Sequence, residues 1–124
     1  MPKWLLLDKV ANIGNINIRW KLIRFNSKGG EGMVRKHIIA RGRVQGVGFR
    51  YICQSFASQC KVTGWIQNKF DGSVEMEVQG AEHRVALYIQ KVEAGNRFAR
   101  IRSLDITDIP PLGALEEKSF RIRY

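Results

Sequence analysis

The loop Val44-Gln45-Gly46-Val47-Gly48-Phe49-Arg50 separates a strand pattern from a helix pattern, and it decides how this chain folds. Strand-like residues 38–40 precede it. After it, apolar side chains recur at the helical period: Phe49, Ile52, Cys53, Phe56, Ala57 and Cys60. Amides at a helix start lack partners within the helix, and glycines let a backbone approach a ligand closely. Arg50 adds a fork of donors suited to phosphate. The loop therefore predicts a site for a phosphoryl group.

After Met33, apolar residues recur either with the strand period of two residues or with the helix period of about 3.6 residues. Strand patterns cover about 36–44, 62–68, 73–79, 99–108 and 120–124, and helix patterns cover about 49–60 and the segment marked by Val85, Ile89 and Val92. In this β-α-β-β-α-β order, the apolar faces of all elements are buried when two helices pack on one face of an antiparallel sheet. The sequence thus predicts an α+β fold, a ferredoxin-like α/β plait with a short extra C-terminal strand.

Residues 1–32 are predicted to form an N-terminal extension or leader, separate from a domain over residues 33–124. The boundary is indicated at residues 27–32, Ser-Lys-Gly-Gly-Glu-Gly, whose composition is typical of a flexible linker. Within the extension, apolar and polar or basic side chains alternate around Ile18 and Trp20, which indicates one marginal strand. We assign this segment no chemistry.

The composition is that of one small domain with an excess of positive charge. Twenty-one Lys and Arg against 11 Asp and Glu give a net charge of +10, which can attract any anion or simply form a solvated surface. No apolar run approaches the roughly 20 residues that cross a membrane. On one helix Cys53 and Cys60 would lie roughly 10 Å apart, too far for a disulfide. Reduced thiols and a cytoplasmic location are therefore expected.

Three motifs in the domain closely resemble those of the acylphosphatase family. They are Gly42-Arg43-Val44-Gln45-Gly46-Val47-Gly48-Phe49-Arg50, Gly64-Trp65-Ile66-Gln67-Asn68 and Asp71-Gly72-Ser73-Val74-Glu75. The resemblance covers about residues 35–124 and does not extend to the N-terminal segment. It implies that Arg50 binds the substrate phosphate and that Asn68 positions the attacking water. It also implies a phosphate-binding loop formed by the amides of Gln45, Gly46, Val47, Gly48, Phe49 and Arg50.

The chemistry of an acyl phosphate agrees with that assignment. Its leaving group is a carboxylate, so departure needs little protonation, and phosphoryl transfer mainly requires positioning and charge neutralisation. We expect no metal and no cofactor. The expected partner is a small-molecule acyl phosphate, bound by a monomer that engages neither nucleic acid nor membrane.

Other interpretations of the same residues remain open. An RNA-binding plait without catalytic activity is suggested by the basic charge and by the aromatic residues around Phe49 and Tyr51. That module carries its aromatic motif on a central strand, however, whereas here the motif opens a helix. A regulatory acylphosphatase-like domain of a larger enzyme is a third interpretation. Arg50 by itself can be an ordinary first-turn residue, and Asn68 can be a turn residue at a strand end.

Overall fold

The computed structural model describes residues 2–11, 18–26, 32–95, 98–113 and 115–124 as seven strands, two helices and their connections. In chain order the elements are β1 (Pro2–Ala11), β2 (Ile18–Asn26), β3 (Met33–Arg43), α1 (Phe49–Cys60), β4 (Thr63–Asn68), β5 (Val74–Ala81), α2 (Glu82–Ala94), β6 (Arg100–Ile109) and β7 (Phe120–Arg123). Every element predicted after Met33 is present. Helix α1 begins and ends at the predicted residues.

Five of the strands form one sheet in the order β6-β3-β5-β4-β7. The four strands of the predicted plait pair antiparallel with their neighbours, and the ferredoxin-like architecture is confirmed. The short last strand pairs parallel with β4, so the complete sheet is mixed. The chain therefore leaves β6 at one edge of the sheet and joins the opposite edge as β7.

The core lies between the two helices and one face of this sheet. In β5, Val74, Met76 and Val78 are fully buried, whereas Glu75 and Glu77 alternate with them and belong to the other face. The helices contribute Phe49, Cys53, Ala57, Cys60, Val85, Ala86, Tyr88, Ile89 and Val92. Burying a side chain such as valine or phenylalanine contributes about 1.5–3 kcal/mol. A one-residue slip of β5 would expose its three apolar side chains, so burial fixes the register.

The N-terminal segment contains a hairpin of its own. Strands β1 and β2 pair antiparallel as a separate two-stranded sheet. The marginal strand expected in the extension corresponds to β2, but β1 was not predicted, because its run Trp4-Leu5-Leu6-Leu7 does not alternate. The predicted linker lies outside the described residues except for Gly32. Neither described helix is long and apolar enough to cross a membrane.

Candidate active site

The C-terminal ends of three strands lie at the same end of the five-stranded sheet. Strands β3 and β4 run in the same direction because each is antiparallel to β5, and β7 is parallel to β4. The glycine loop of residues 44–48 follows β3, Asn68 is the last residue of β4, and Arg123 is the last residue of β7. The topology thus brings three segments together that are far apart along the chain.

The glycine loop depends on two residues with left-handed backbone conformation. Gly46 has φ 73° and Gly48 has φ 74°, values that most other residues adopt only with strain. A Cβ atom built at either position would meet nothing within 4 Å, so glycine is required by the backbone dihedral rather than by space. Left-handed residues just before a helix are typical of backbone concavities that bind anions. Gly48 is the residue that caps α1.

Arg50 lies in the first turn of α1, where a cation opposes the helix dipole. Its guanidinium Nη1 donates a hydrogen bond to the carbonyl oxygen of Arg123 at 3.3 Å, and its Cζ lies 5.1 Å from the centre of the Tyr124 ring. The hydroxyl oxygens of Tyr51 and Tyr124 are 3.2 Å apart. No carboxylate of the described side chains forms an ion pair with Arg50. The guanidinium is held in place and its charge is available to an anion.

A small cavity of about 90 Å³ joins Arg50 to Asn68. Its lining consists of Val44, Gly46, Gly48, Phe49, Arg50, Tyr51 and Asn68. Asn68 is exposed at the end of β4, so its amide can contact a bound molecule or water. A larger cavity of about 310 Å³ beside Trp65 contains no residue of the glycine loop. The smaller cavity is the candidate site, because the cation, the glycine loop and the carboxamide of Asn68 all lie at its surface.

Two residues of the predicted phosphate loop do not line this cavity. Val47 packs, partly buried, against the core. Gln45 directs its side-chain amide away from the loop, to the carbonyl oxygens of Lys69 and Ser73 at 2.7 and 2.8 Å. Neither this contact nor the position of Arg123 and Tyr124 beside Arg50 was predicted from the sequence. Nothing in the order of elements predicted that the last strand lies next to β4.

The buried thiols are poorly suited to act as nucleophiles. Burial raises the pKa of Cys53 far above its ordinary value, and burial also raises the pKa of Cys60. The neutral thiol is a weak nucleophile compared with the thiolate. Within residues 32–95, 98–113 and 115–124, no three His, Cys, Asp or Glu side chains cluster closely enough to hold a metal ion. The chemistry of the site is that of a cation, backbone amides and one carboxamide.

Comparison with known proteins identifies the family. A protein-family model described as Acylphosphatase matches residues 36–122, which include the glycine loop, Arg50 and Asn68. This chain belongs to the acylphosphatase family. The acylphosphatase of Geobacillus thermodenitrificans (strain NG80-2) is 48% identical over 94 residues, which are 74% of this chain and 96% of that protein. The motif resemblance noted in the sequence is thereby confirmed.

Solved structures of acylphosphatases have the same fold. The crystal structure of acylphosphatase from Bacillus subtilis superimposes with a TM-score of 0.69 at 35% identity, covering 73% of this chain and 99% of that one. The crystal structure of T.kodakarensis HypF matches with a TM-score of 0.65 at 28% identity, covering 73% of this chain but 12% of HypF. The acylphosphatase fold therefore occurs both as nearly a whole chain and as a small part of a larger one.

Proposed function

We propose that this chain hydrolyses the carboxyl–phosphate bond of acyl phosphates, yielding a carboxylate and inorganic phosphate. One observation carries the proposal: Arg50, Asn68 and the two left-handed glycines line a single cavity. Membership of the acylphosphatase family and the similarity to proteins named acylphosphatase support it. The proposed substrate class combines two points. The site offers donors for a phosphoryl group, and a carboxylate leaving group departs without protonation by a general acid.

Arg50 and the loop amides of residues 45–50 bind the phosphoryl oxygens in this proposal. The guanidinium is a planar fork of donors that matches a phosphoryl group. Its contact with the Arg123 carbonyl and its position beside the Tyr124 ring fix its orientation before the substrate arrives. Donors that are oriented in advance stabilise developing charge without reorganisation during the reaction.

Asn68 orients the attacking water in this proposal. The water oxygen forms a bond to phosphorus while the bond from phosphorus to the acyl oxygen breaks, and the carboxylate leaves with the electron pair. A carboxamide is too weak a base to take the proton, so the proton passes to a phosphoryl oxygen of the substrate. Because the leaving carboxylate is already stable as an anion, the proposed reaction needs no metal or cofactor.

The RNA-binding interpretation requires aromatic side chains that can stack on bases. Phe49 is 1% exposed and belongs to the core, so it is not available for stacking, whereas Tyr51 is 59% exposed. The third interpretation, a regulatory domain, is disfavoured by the relatives that this chain covers almost entirely. We therefore keep hydrolysis as the function that the site supports best.

Turnover of benzoyl phosphate, measured with and without a chelator, tests the proposal. We expect hydrolysis that the chelator does not change and that inorganic phosphate inhibits competitively. Absence of turnover together with a tight, strongly salt-dependent complex with single-stranded RNA would favour the rival function.

We further propose that the enzyme acts as a cytoplasmic monomer. Cys53 and Cys60 are both buried and free, as expected for a protein kept in a reducing compartment. Light scattering of the purified chain and fractionation of the source cells test the two statements separately.

A further inference from the structure

We propose that Gln45 is a positioning residue, whose side chain fixes the hairpin after Asn68 relative to the phosphate-binding loop. The inference rests on the proposed function and adds a residue that acts through its neighbours rather than on the substrate. Its basis is that Gln45 belongs to the glycine loop, yet its Nε2 donates to the carbonyl oxygens of Lys69 and Ser73, at 2.7 and 2.8 Å.

These two carbonyl oxygens close the turn between β4 and β5. The Lys69 amide donates to the Ser73 carbonyl oxygen at 2.9 Å, and the Gly72 amide donates to the Lys69 carbonyl oxygen at 3.2 Å. Each of these oxygens therefore accepts one hydrogen bond from within the turn and a second from Gln45. Gln45 thus links both ends of the five-residue turn, residues 69–73, to the glycine loop by hydrogen bonds.

The turn is also rigid on its far side. Oδ1 of Asp71 accepts hydrogen bonds from the Ser73 amide at 2.9 Å and from the Ser73 hydroxyl at 2.5 Å. A turn that is already internally bonded moves as one body about its two junctions, with β4 and with β5. Asn68 is the residue at the β4 junction. The bonds from Gln45 restrict this motion and hence the position of the Asn68 amide.

The chemistry of the glutamine amide explains why the residue acts indirectly. Its Nε2 carries two N–H groups, and two carbonyl oxygens accept from them. The side chain thus has no remaining N–H donor for phosphate. Its removal should leave phosphate binding intact and disturb the alignment of the water that Asn68 holds. In the reaction this is a loss of positioning, to which rates are very sensitive.

Gln45→Met is the decisive variant, because methionine has nearly the same shape, no charge and no donor. We expect kcat for benzoyl phosphate to fall roughly 10- to 100-fold, while the inhibition constant of inorganic phosphate stays within about twofold. Hydrogen exchange at the Lys69 and Gly72 amides should accelerate, with core amides unchanged. The matched control is Gln54→Met, which also removes a bond from Nε2 to a backbone carbonyl, that of Phe120 at 3.1 Å. It should keep kcat.

Each outcome separates this inference from the proposed function. If the wild type turns over and folded Gln45→Met keeps its kcat, the positioning role is wrong and the function stands. If kcat and phosphate affinity fall together, Gln45 acts on the phosphate loop and the inference is also wrong. If the wild type does not hydrolyse benzoyl phosphate, the proposed function fails. If hydrogen exchange at the Lys69 and Gly72 amides is the same in Gln45→Met as in the wild type, Gln45 does not hold the turn in place and the inference is wrong.

Discussion

At the scale of single residues, the proposed mechanism divides binding from water alignment between Arg50 and Asn68. The two side chains approach the same cavity from different elements, one from the first turn of α1 and the other from the end of β4. A cation and a neutral amide make different contributions to the reaction, so the two roles are separable by kinetics.

Replacing Arg50 by alanine removes the charged donor and should lower kcat/KM by on the order of 100-fold or more, with KM raised. Arg50→Lys should remain poor, because a point charge cannot reproduce the guanidinium fork. Steady-state kinetics on benzoyl phosphate checks both. Arg102→Ala, an exposed residue of β6, controls for the lost positive charge and should behave like wild type. An active Arg50→Lys enzyme would show that charge alone is sufficient.

Replacing Asn68 by alanine should instead abolish most of kcat while inorganic phosphate still binds with nearly wild-type affinity. The physical reason is that the substitution removes alignment of the water and leaves the phosphate-binding groups in place. Turnover is measured beside the phosphate inhibition constant, with folding checked by circular dichroism. Near wild-type hydrolysis by a folded Asn68→Ala protein would overturn the proposed mechanism.

At the scale of elements, a buried arginine ties the connection between β6 and β7 to the sheet face opposite the helices. Arg35 of β3 is 3% exposed; it donates to Glu77 at 2.7 Å and to both carboxylate oxygens of Glu117 at 2.8 and 3.1 Å. Gln79 exchanges two hydrogen bonds with the backbone of Leu112, at 2.8 and 3.0 Å. The chain that leads into β7 is thus held by polar contacts rather than by apolar burial.

Stability in acid should report on this contact. Burial acts to raise the pKa of Glu117, but hydrogen bonds from Arg35 and Thr63 outweigh it, so the pKa lies below its ordinary value. A lowered folded-state pKa means that the carboxylate contributes its full stability above the unfolded value of about 4.3. That contribution is lost as the pH falls through the lower pKa of the folded state.

Glu117→Gln should therefore lower the free energy of unfolding at pH 7, and the difference from wild type should shrink below about pH 4.3. We expect about 2 kcal/mol at pH 7, less than the usual cost of a buried unpaired charge, because Glu77 still pairs with Arg35. Urea unfolding of both proteins between pH 7 and pH 3 measures this difference in the free energy of unfolding. The neighbouring exposed Glu116→Gln is the matched control and should show no such gap. A gap that persists unchanged in acid would contradict the assignment.

At the scale of the whole molecule, the catalytic proposal does not involve the N-terminal segment. Strands β1 and β2 form their own sheet, and every residue that lines the candidate cavity lies at or beyond Val44. Among the described strands β1 pairs with β2, and it lies near α2 and β6. The separation of residues 1–32 from a domain over 33–124 stays a prediction.

A fragment that begins at Met33 should keep kcat and KM within about twofold, because the phosphate loop, Asn68 and β7 are all retained. Its melting temperature should change little, since the five-stranded sheet and both helices are complete without the hairpin. Circular dichroism and benzoyl phosphate kinetics check the fragment against the full chain. An unfolded or inactive fragment would show that the hairpin belongs to the domain.

The sequence by itself determined the features that a few neighbouring residues encode. The apolar period predicted both ends of α1, and alternation predicted the buried face of β5. Gly46 and Gly48 marked the loop before the helix. Such signals are local, because they arise from backbone dihedrals and from which side of one element can be buried. The family motifs extended this to Arg50 and Asn68 as a pair.

Only the tertiary structure decided which distant segments touch. The parallel position of β7 beside β4 brings the Arg123 carbonyl and the Tyr124 ring to Arg50, and the sheet order brings Gln45 to the turn after Asn68. The same holds for the buried pairing of Arg35 with Glu117. The physical reason is that the pairing of remote segments depends on the burial and hydrogen bonding of the whole arrangement, and no periodicity within one segment records its partner.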